Sequence, residues 1–580
     1  METTRHRMSS QMLRWMVALV CCVTFAYVIV APRTQEGEAA FAEDPPPVQM
    51  IRIDEEPQGE GISTGKLNHP MASALLQSAL IEQNKTNEIT IRNMEHENRN
   101  WTIDQLYPQN GIQVMKQAIH DMRTCKHPVP HYATFKAALD ANASPQHKVI
   151  TLAAVIDHGY LPIAENIYIT SFRRHFMQNF LYVCVDFEAC EAARLQCMPV
   201  FLYMNASHKD SGDMNSQSFR EKSMLKLQLA YEAMAAGYTV FLTDLDVFFF
   251  RNPLPKLLDL CQESCDLVGQ RDVGQVINTG FMLLRPTNTT IRFYHEMLTS
   301  PKRDEFMHDQ TFFNYMFPNF KSRHRSTKVI LLSEEEFPEG RNYFRNGRRF
   351  FYDSNPCEKC FEVHNNWIVG TRAKTLRFQE HLMWMVDDGG YYSNPDRKYL
   401  TYYNPAVLKS PDDYFEWESV ALRNAVFLSE LTGRTLIFPR FHANASFAAP
   451  IFSIFKVNLF TMYFHNHRES SFLLSPLVPD QVKKSLSPWL KVDKEFHIGD
   501  KGLLSFPDPQ NGEVLRLEKD GSLQEWVKEF DKYSVIRLAS LYDPRAPLNM
   551  TSLEEVQPMF VQKMRQNAIV KKYSDNNIIS

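Results

Sequence analysis

From Lys148 onward the chain alternates between two textures. Continuous apolar runs, Val149 to Val155, Phe180 to Val185 and Pro199 to Tyr203, read as buried strands. Helical stretches lie between them at Ile163 to Phe176 and Glu188 to Leu195, and an amphipathic one follows at Glu221 to Ala236, closed by Gly237. Strand–helix alternation of this kind predicts an α/β fold with a parallel sheet and helices on both faces. Ligands of such sheets sit outside the carboxyl ends of the strands. There the next apolar run is interrupted: Val240-Phe241-Leu242-Thr243 leads into Asp244-Leu245-Asp246, and Val247-Phe248-Phe249-Phe250 follows, stopped at Arg251-Asn252-Pro253.

A carboxylate at the mouth of a buried strand is costly unless something cationic meets it. Two of them, one residue apart, suit a hard divalent cation such as Mn²⁺ or Mg²⁺, whose remaining positions go to phosphate oxygens and water. The expected ligand is a diphosphate. Taken alone, Asp-x-Asp also describes a solvated turn after a strand, so the segments around it have to decide. A P-loop is excluded, because Gly61-Ile62-Ser63-Thr64-Gly65-Lys66-Leu67 is one residue short and lacks the metal-binding hydroxyl. A dehalogenase-like phosphatase, with Asp244 as nucleophile, fits poorly because Phe248 stands where Thr or Val is expected.

The N-terminal segment has a different character. Trp15 to Ala31 is uncharged and apolar behind Arg5, Arg7 and Arg14, which predicts a cytosolic tail at 1–14 and a signal-anchor at 15–31. Everything after Ala31 would then be lumenal, in a single-pass type II protein of the Golgi (or ER) membrane. Cleavage near Ala40-Phe41-Ala42 is the alternative. Residues 32–106 are polar, carry Pro45-Pro46-Pro47 and read as a stem, with one short helix at Met71 to Ile81. Sequons at Asn84, Asn100, Asn142, Asn205, Asn288, Asn444 and Asn549 accord with lumenal exposure. Cys21 and Cys22 lie in the anchor; Cys125, Cys184, Cys190, Cys197, Cys261, Cys265, Cys357 and Cys360 are an even set that favours disulfides in an oxidising lumen. The Cys261/Cys265 and Cys357/Cys360 spacings also permit zinc, with local disulfides or packing preferred, and the pairing is not readable from spacing. Lys+Arg 63 against Asp+Glu 67 leaves no basic excess, so nothing points to nucleic acid.

Several segments follow one another along the chain: Ala164-Glu165-Asn166, Phe180 to Asp186, Lys226, Gly237 to Val247, Arg251-Asn252-Pro253, Asn278-Thr279-Gly280-Phe281-Met282, Asp309-Gln310, Val363-His364-Asn365-Asn366-Trp367 and Lys374. On these, residues from about Lys148 to Asp388 resemble the nucleotide-diphospho-sugar transferase domain of glycosyltransferase family 77. The departures are Phe249, where the family tends to Trp, and Asn365, where a small residue is usual; both are expected to bear on acceptor shape.

The resemblance implies a GT-A fold over 107–390, a nucleotide-sugar donor with UDP the expected nucleotide, Mn²⁺ (or Mg²⁺), and a retaining transfer to a glycan or glycoprotein. Asp244, Asp246 and His364 would hold the metal, the bland alternative for His364 being a packed polar residue beside Trp367. Lys226 and Lys374 would offset diphosphate charge, or else lie on solvated helix faces. Asn278, Thr279 and Gly280 are expected to form a tight turn against the sugar, with Asn366 also on the substrate. Asp309 and Gln310, opening a helix at Thr311 to Phe317, are the catalytic candidates, with a helix cap the alternative for Asp309. No protein nucleophile is assigned, since the leaving phosphate can take the acceptor's proton. A fold-retaining glycan-binding or scaffolding protein without turnover is the competing class.

Two further segments follow. Glu339 to Phe351, with Arg341, Arg345, Arg348 and Arg349, reads as a solvated basic loop able to frame an anionic donor. Residues 391–580 form a separate α/β region: a helix at Trp417 to Leu431 stopped by Gly433, a strand at Thr435 to Phe438, a helical Leu523 to Phe530 and a strand at Val535 to Leu541. Leu422 to Arg440 resembles segments appended to plant and algal members of the family. An acceptor module and a packing domain are both open readings.

Overall fold

The computed structural model describes residues 103–538 with gaps, the longest at 204–215, 347–356, 403–420, 452–465, 491–504 and 517–528. The expected tail, anchor, nearly all of the stem and the helix at Met71 to Ile81 lie outside the described residues. Among those described, no helix is long and apolar enough to cross a membrane.

Among the described residues nine strands build the first part: β1 (Val149–Ile156), β2 (Phe180–Cys184), β3 (Val200–Leu202), β4 (Thr239–Thr243), β5 (Val247–Phe249), β6 (Leu267–Arg271), β7 (Ile277–Leu284), β8 (Val329–Leu331) and β9 (Glu362–His364). Seven of them make one sheet in the order β3-β2-β1-β4-β7-β6-β8, and β5 pairs with β9 alone. The expected parallel sheet is present with one exception. β7 runs antiparallel to both neighbours, so its first residues meet the carboxyl ends of β4 and β6.

Both faces of the sheet are covered, which is why its strands are continuous apolar runs rather than alternating ones. Successive side chains of β4 enter opposite cores: Phe241 joins Phe249 and Phe281 on one face, while Val240 and Leu242 join Met234 and Met282 on the other. Each such side chain contributes about 1.5–3 kcal/mol by burial. Helix Gln217–Ala235 packs on the second face; the Ser216 side chain accepts from Phe219 N at its start. Its end is set by Gly237 at φ 86°, a left-handed position that glycine adopts without strain.

The expected helix over Ile163 to Phe176 is α-helical at Leu161–Ile167 and then widens to a π-helical turn, Tyr168–Arg173. From this segment Ser171 Oγ accepts from Phe249 N at 3.1 Å, and Arg174 Nη2 donates to the carbonyls of Phe249 and Phe250 at 2.7 and 2.8 Å. The turn therefore fixes β5. The eight cysteines pair as Cys125–Cys197, Cys184–Cys190, Cys261–Cys265 and Cys357–Cys360, so the last two pairs are local disulfides and no zinc site.

A second sheet of five strands, all parallel, runs His467–Arg468, Thr435–Ile437, Tyr399–Tyr402, Val535–Leu538, Leu486–Leu490. The expected strands at Thr435 and Val535 are in it, and the described residues between 421 and 432 are helical. Leu400, Leu436 and Ile536 belong to the same buried cluster as Phe248 and Phe249 of the first part. The texture change near Tyr391 is therefore not a break in the core.

Candidate active site

β4 ends at Thr243, and the chain leaves the sheet through Asp244, Leu245 and Asp246 before β5 begins. Leu245 is buried in the core. β9 lies antiparallel to β5 with His364 opposite Val247, and Asn365 N donates to the Asp246 carbonyl at 2.7 Å. His364 Nε2 consequently stands 3.7 Å from Asp244 Oδ2 and 3.5 Å from Asp246 Oδ1. One ligand atom from each of the three residues lies within 4.8 Å of the others. Asp246 and His364 are buried, while Asp244 is half-buried at the rim.

Each carboxylate turns its second oxygen to a lysine. Lys226 Nζ is 2.8 Å from Asp244 Oδ1 and 3.0 Å from Asp309 Oδ2; Lys374 Nζ is 2.8 Å from Asp246 Oδ2 and 3.3 Å from Tyr160 Oη. Burial works against both ammonium charges, but the carboxylates outweigh it and hold each lysine above its usual range. Burial likewise opposes the Asp246 charge; Lys374 and His364 outweigh it and keep that carboxyl far below the usual carboxylate range. Neither lysine lies on a solvated helix face.

The Asn278–Gly280 segment is not the expected tight turn. All three residues are inside β7, and the Gly280 carbonyl accepts from Asp244 N at 2.7 Å. Opposite β6 the register skips from Met282 to Asn278, which leaves 279–281 unpaired on that side. A Cβ on Gly280 would collide with Asp244 Oδ2 and lie 2.6 Å from His364 Cε1. The space between the ligands thus exists because residue 280 has no side chain.

His364 is oriented from behind. Its Nδ1 is 3.1 Å from Asn278 Nδ2 and 3.3 Å from Gln270 Oε1. Asn278 Nδ2 can only donate and Gln270 Oε1 only accept, so the two contacts call for opposite tautomers; in the one with the ring proton on Nδ1, directed to Gln270, Nε2 keeps a free lone pair toward the carboxylates. Gln270 Nε2 in turn donates to Glu362 Oε1 at 2.8 Å, and burial pushes the Glu362 carboxyl well above its usual range. Two carboxylate oxygens and an imidazole nitrogen around a space a methyl group would fill are a donor set that fits a divalent cation.

The catalytic candidates are placed less simply. Asp309 opens helix Asp309–Arg323, but His308, not Asp309, caps it by accepting from Thr311 N. Asp309 is buried against Lys226 instead. Gln310 Nε2 donates to Asp272 Oδ2 at 3.0 Å. Asp272, at the end of β6, is a residue that sequence reasoning missed: it is buried and also accepts from Trp367 Nε1 at 3.0 Å. Gln270 and Tyr160 were missed as well; the one available signal was their position just inside or after a strand end.

Asn366 holds a neighbouring loop, its Oδ1 accepting from Gly340 N at 2.7 Å. Asn365 does not shape an acceptor surface. It is fully buried, donating to the Lys374 carbonyl at 2.9 Å and accepting from Arg377 Nε at 2.5 Å, so it braces β9 against the helix that carries Lys374. The start of the basic segment is no solvated loop either: Glu339, Tyr343 and Phe344 are buried, and burial raises Glu339 to about 7.

Residues 175–378 match the family model described as nucleotide-diphospho-sugar transferase. Among curated proteins the chain is similar to arabinosyltransferase XEG113 of Arabidopsis thaliana, at 23% identity over 63% of this chain and 66% of the relative. It is 27% identical to the β-arabinofuranosyltransferase RAY1 of the same plant over 37% of this chain and 44% of the relative. A UDP-D-xylose:L-fucose alpha-1,3-D-xylosyltransferase, also of Arabidopsis thaliana, matches at 25% over 41% of this chain and 70% of its own length. The chain thus spans under two thirds of the length of the first two relatives. Among solved structures, apo mouse xyloside xylosyltransferase 1 aligns with 38% of this chain and 98% of its own at 14% identity, with a TM-score of 0.26.

Proposed function

From the premise that residues 175–378 are a nucleotide-diphospho-sugar transferase domain of glycosyltransferase family 77, we propose that this chain transfers a sugar from a nucleotide diphosphate, UDP in the first instance, to a hydroxyl of a glycan or glycoprotein. The observation that carries the reading is the convergence of Asp244 Oδ2, Asp246 Oδ1 and His364 Nε2 on a space kept open by Gly280. These residues would hold Mn²⁺ or Mg²⁺, which when bound offsets the charge that grows on the departing diphosphate.

The chain's own groups account for the rest. Lys226 and Lys374 present fixed cations at the same sheet edge, where preorganised charge favours the separating diphosphate without reorganisation. Asp309, ion-paired and buried, holds Lys226; Gln310, beside it, offers an amide to the sugar or the acceptor. No side chain is assigned as nucleophile, which suits a retaining GT-A transfer in which the leaving phosphate takes the acceptor's proton. The Trp15 to Ala31 run behind three arginines supports a type II anchor in the Golgi (or ER) membrane with the domain in the lumen.

The test is to incubate the purified full chain with a panel of UDP-sugars and follow UDP release, with and without chelator. One donor is expected to be hydrolysed slowly in Mn²⁺. Binding of donors without release of UDP from any of them supports a scaffolding protein instead, and phosphate release from simple phosphomonoesters supports the phosphatase reading.

A further inference from the structure

Half of the large apolar side chains that remain exposed among the described residues lie on segments bordering the site: Val273 and Val276 beside Asp272, Met307 before Asp309, and Trp367 after His364. Trp367 is the most constrained of them. Its φ is 57°, a left-handed backbone that a bulky residue rarely adopts, and strain of this kind costs about 1–3 kcal/mol. The indole is nevertheless held, Nε1 donating to Asp272 Oδ1 at 3.0 Å, with the Arg341 guanidinium 5.7 Å from the ring centroid.

Asp272 has no capacity left for a ligand. Its Oδ1 also accepts from Val273 N at 2.7 Å, and its Oδ2 from Gln310 Nε2 at 3.0 Å and Asn278 Nδ2 at 3.4 Å. A single buried carboxylate therefore fixes an exposed ring, the Gln310 amide and the asparagine behind His364 relative to one another. A rigid, partly exposed indole tied to the carboxylate that also holds the Gln310 amide suits the C–H face of a sugar ring, whose hydroxyls then reach sideways to that amide. The candidate metal ligands Asp246 and His364 are buried, whereas Trp367 is 38% exposed, so the ring is open to a molecule that arrives from solvent.

We propose that Trp367 is the platform on which the sugar of the acceptor stacks, and that Asp272 is a positioning residue that holds it. This deepens the transferase reading and rests on it, so its test includes a measurement that needs no turnover. Saturation-transfer NMR on the full chain with methyl glycosides of fucose, galactose and arabinose is expected to show contact to the ring C–H protons of at least one. Trp367→Ala should abolish that signal; Trp367→Phe, which keeps a ring and loses only the tie to Asp272, should retain part of it. In transfer assays Trp367→Ala should raise the acceptor KM about tenfold, with the donor KM moving much less, the split that marks loss of acceptor binding; Trp367→Phe, which lacks only the tie to Asp272, should raise the acceptor KM by less.

A wild-type protein that binds none of these glycosides overturns the proposal. So does a Trp367→Ala variant that binds them undiminished, or acceptor and donor KM values that rise together. Loss of the NMR signal in Trp367→Ala, with no transfer by the wild type, would leave the platform standing and remove the transferase reading. Transfer that proceeds with an unchanged acceptor KM in Trp367→Ala would do the reverse.

Discussion

A methyl group at residue 280 would occupy the place between Asp244 and His364 that a metal ion needs, which makes Gly280 the most sensitive single position in the account. Gly280→Ala is expected to weaken Mn²⁺ binding and to slow transfer roughly a hundredfold, the usual scale for losing one electrostatic contact to the transition state. Titration of Mn²⁺ by electron paramagnetic resonance checks this, and an alanine variant that binds the ion like the wild type rules the cradle out. That Asp244, Asp246 and His364 belong to one candidate metal site was legible in the sequence, because Asp-x-Asp at a strand end and His364 downstream are motif-bound. Lys226 and Lys374 were legible as residues but not as ion pairs. Asp272 was not legible at all: nothing around Arg271-Asp272-Val273 forms a motif, and of its four donors Val273 N and Asn278 Nδ2 are local while Gln310 and Trp367 reach it only through folding.

Strand positions through β4 followed the apolar pattern closely, since burial on both faces leaves a continuous hydrophobic signal, whereas β6, β7, β8 and β9 were not read as strands. Direction did not follow the pattern, because a buried run such as Ile277–Leu284 reads the same whichever way it lies in the sheet. That is why Asn278-Thr279-Gly280, with the chemistry of a turn, was misread: sheet burial overrides local turn preference here. Between elements, the strand His467–Arg468 is followed by Glu469, whose carboxylate accepts from Tyr391 Oη at 2.7 Å and Tyr392 Oη at 2.8 Å. Burial raises Glu469 to about 6 and the nearby Glu380 to about 8. Both folded values lie above the unfolded one, so their contribution is complete below about pH 4.5 and is lost as pH rises through the folded values. For Glu469 the loss amounts to roughly 2 kcal/mol. Thermal unfolding should therefore occur at lower temperature at pH 8 than at pH 5, and Glu469→Gln, neutral throughout, should flatten part of that slope. Equal slopes in the two proteins contradict the assignment.

At the scale of the molecule, the two sheets share one buried cluster, and a chain cut at 390 would expose the side chains that Leu400, Leu436 and Ile536 now cover. Removing 391–580 is expected to give insoluble protein, as judged by expression and gel filtration. A soluble fragment that still hydrolyses the donor but no longer transfers sugar to an acceptor would support 391–580 as a detachable acceptor module instead. The family resemblance covered the first sheet and said little about the second, whose strands carry no motif and whose packing role depends on contacts across the fold. The central claim remains that Asp244, Asp246 and His364 act together on a metal-bound nucleotide sugar. It is tested most directly by assaying sugar transfer in wild type and Asp246→Asn after chelation and after Mn²⁺ is returned. Activity should vanish with chelator and come back with Mn²⁺, and the variant, which keeps its shape and loses a charge, should be slower by roughly a hundredfold, about 3 kcal/mol. Transfer at the wild-type rate by Asp246→Asn, or activity indifferent to chelation, would contradict it.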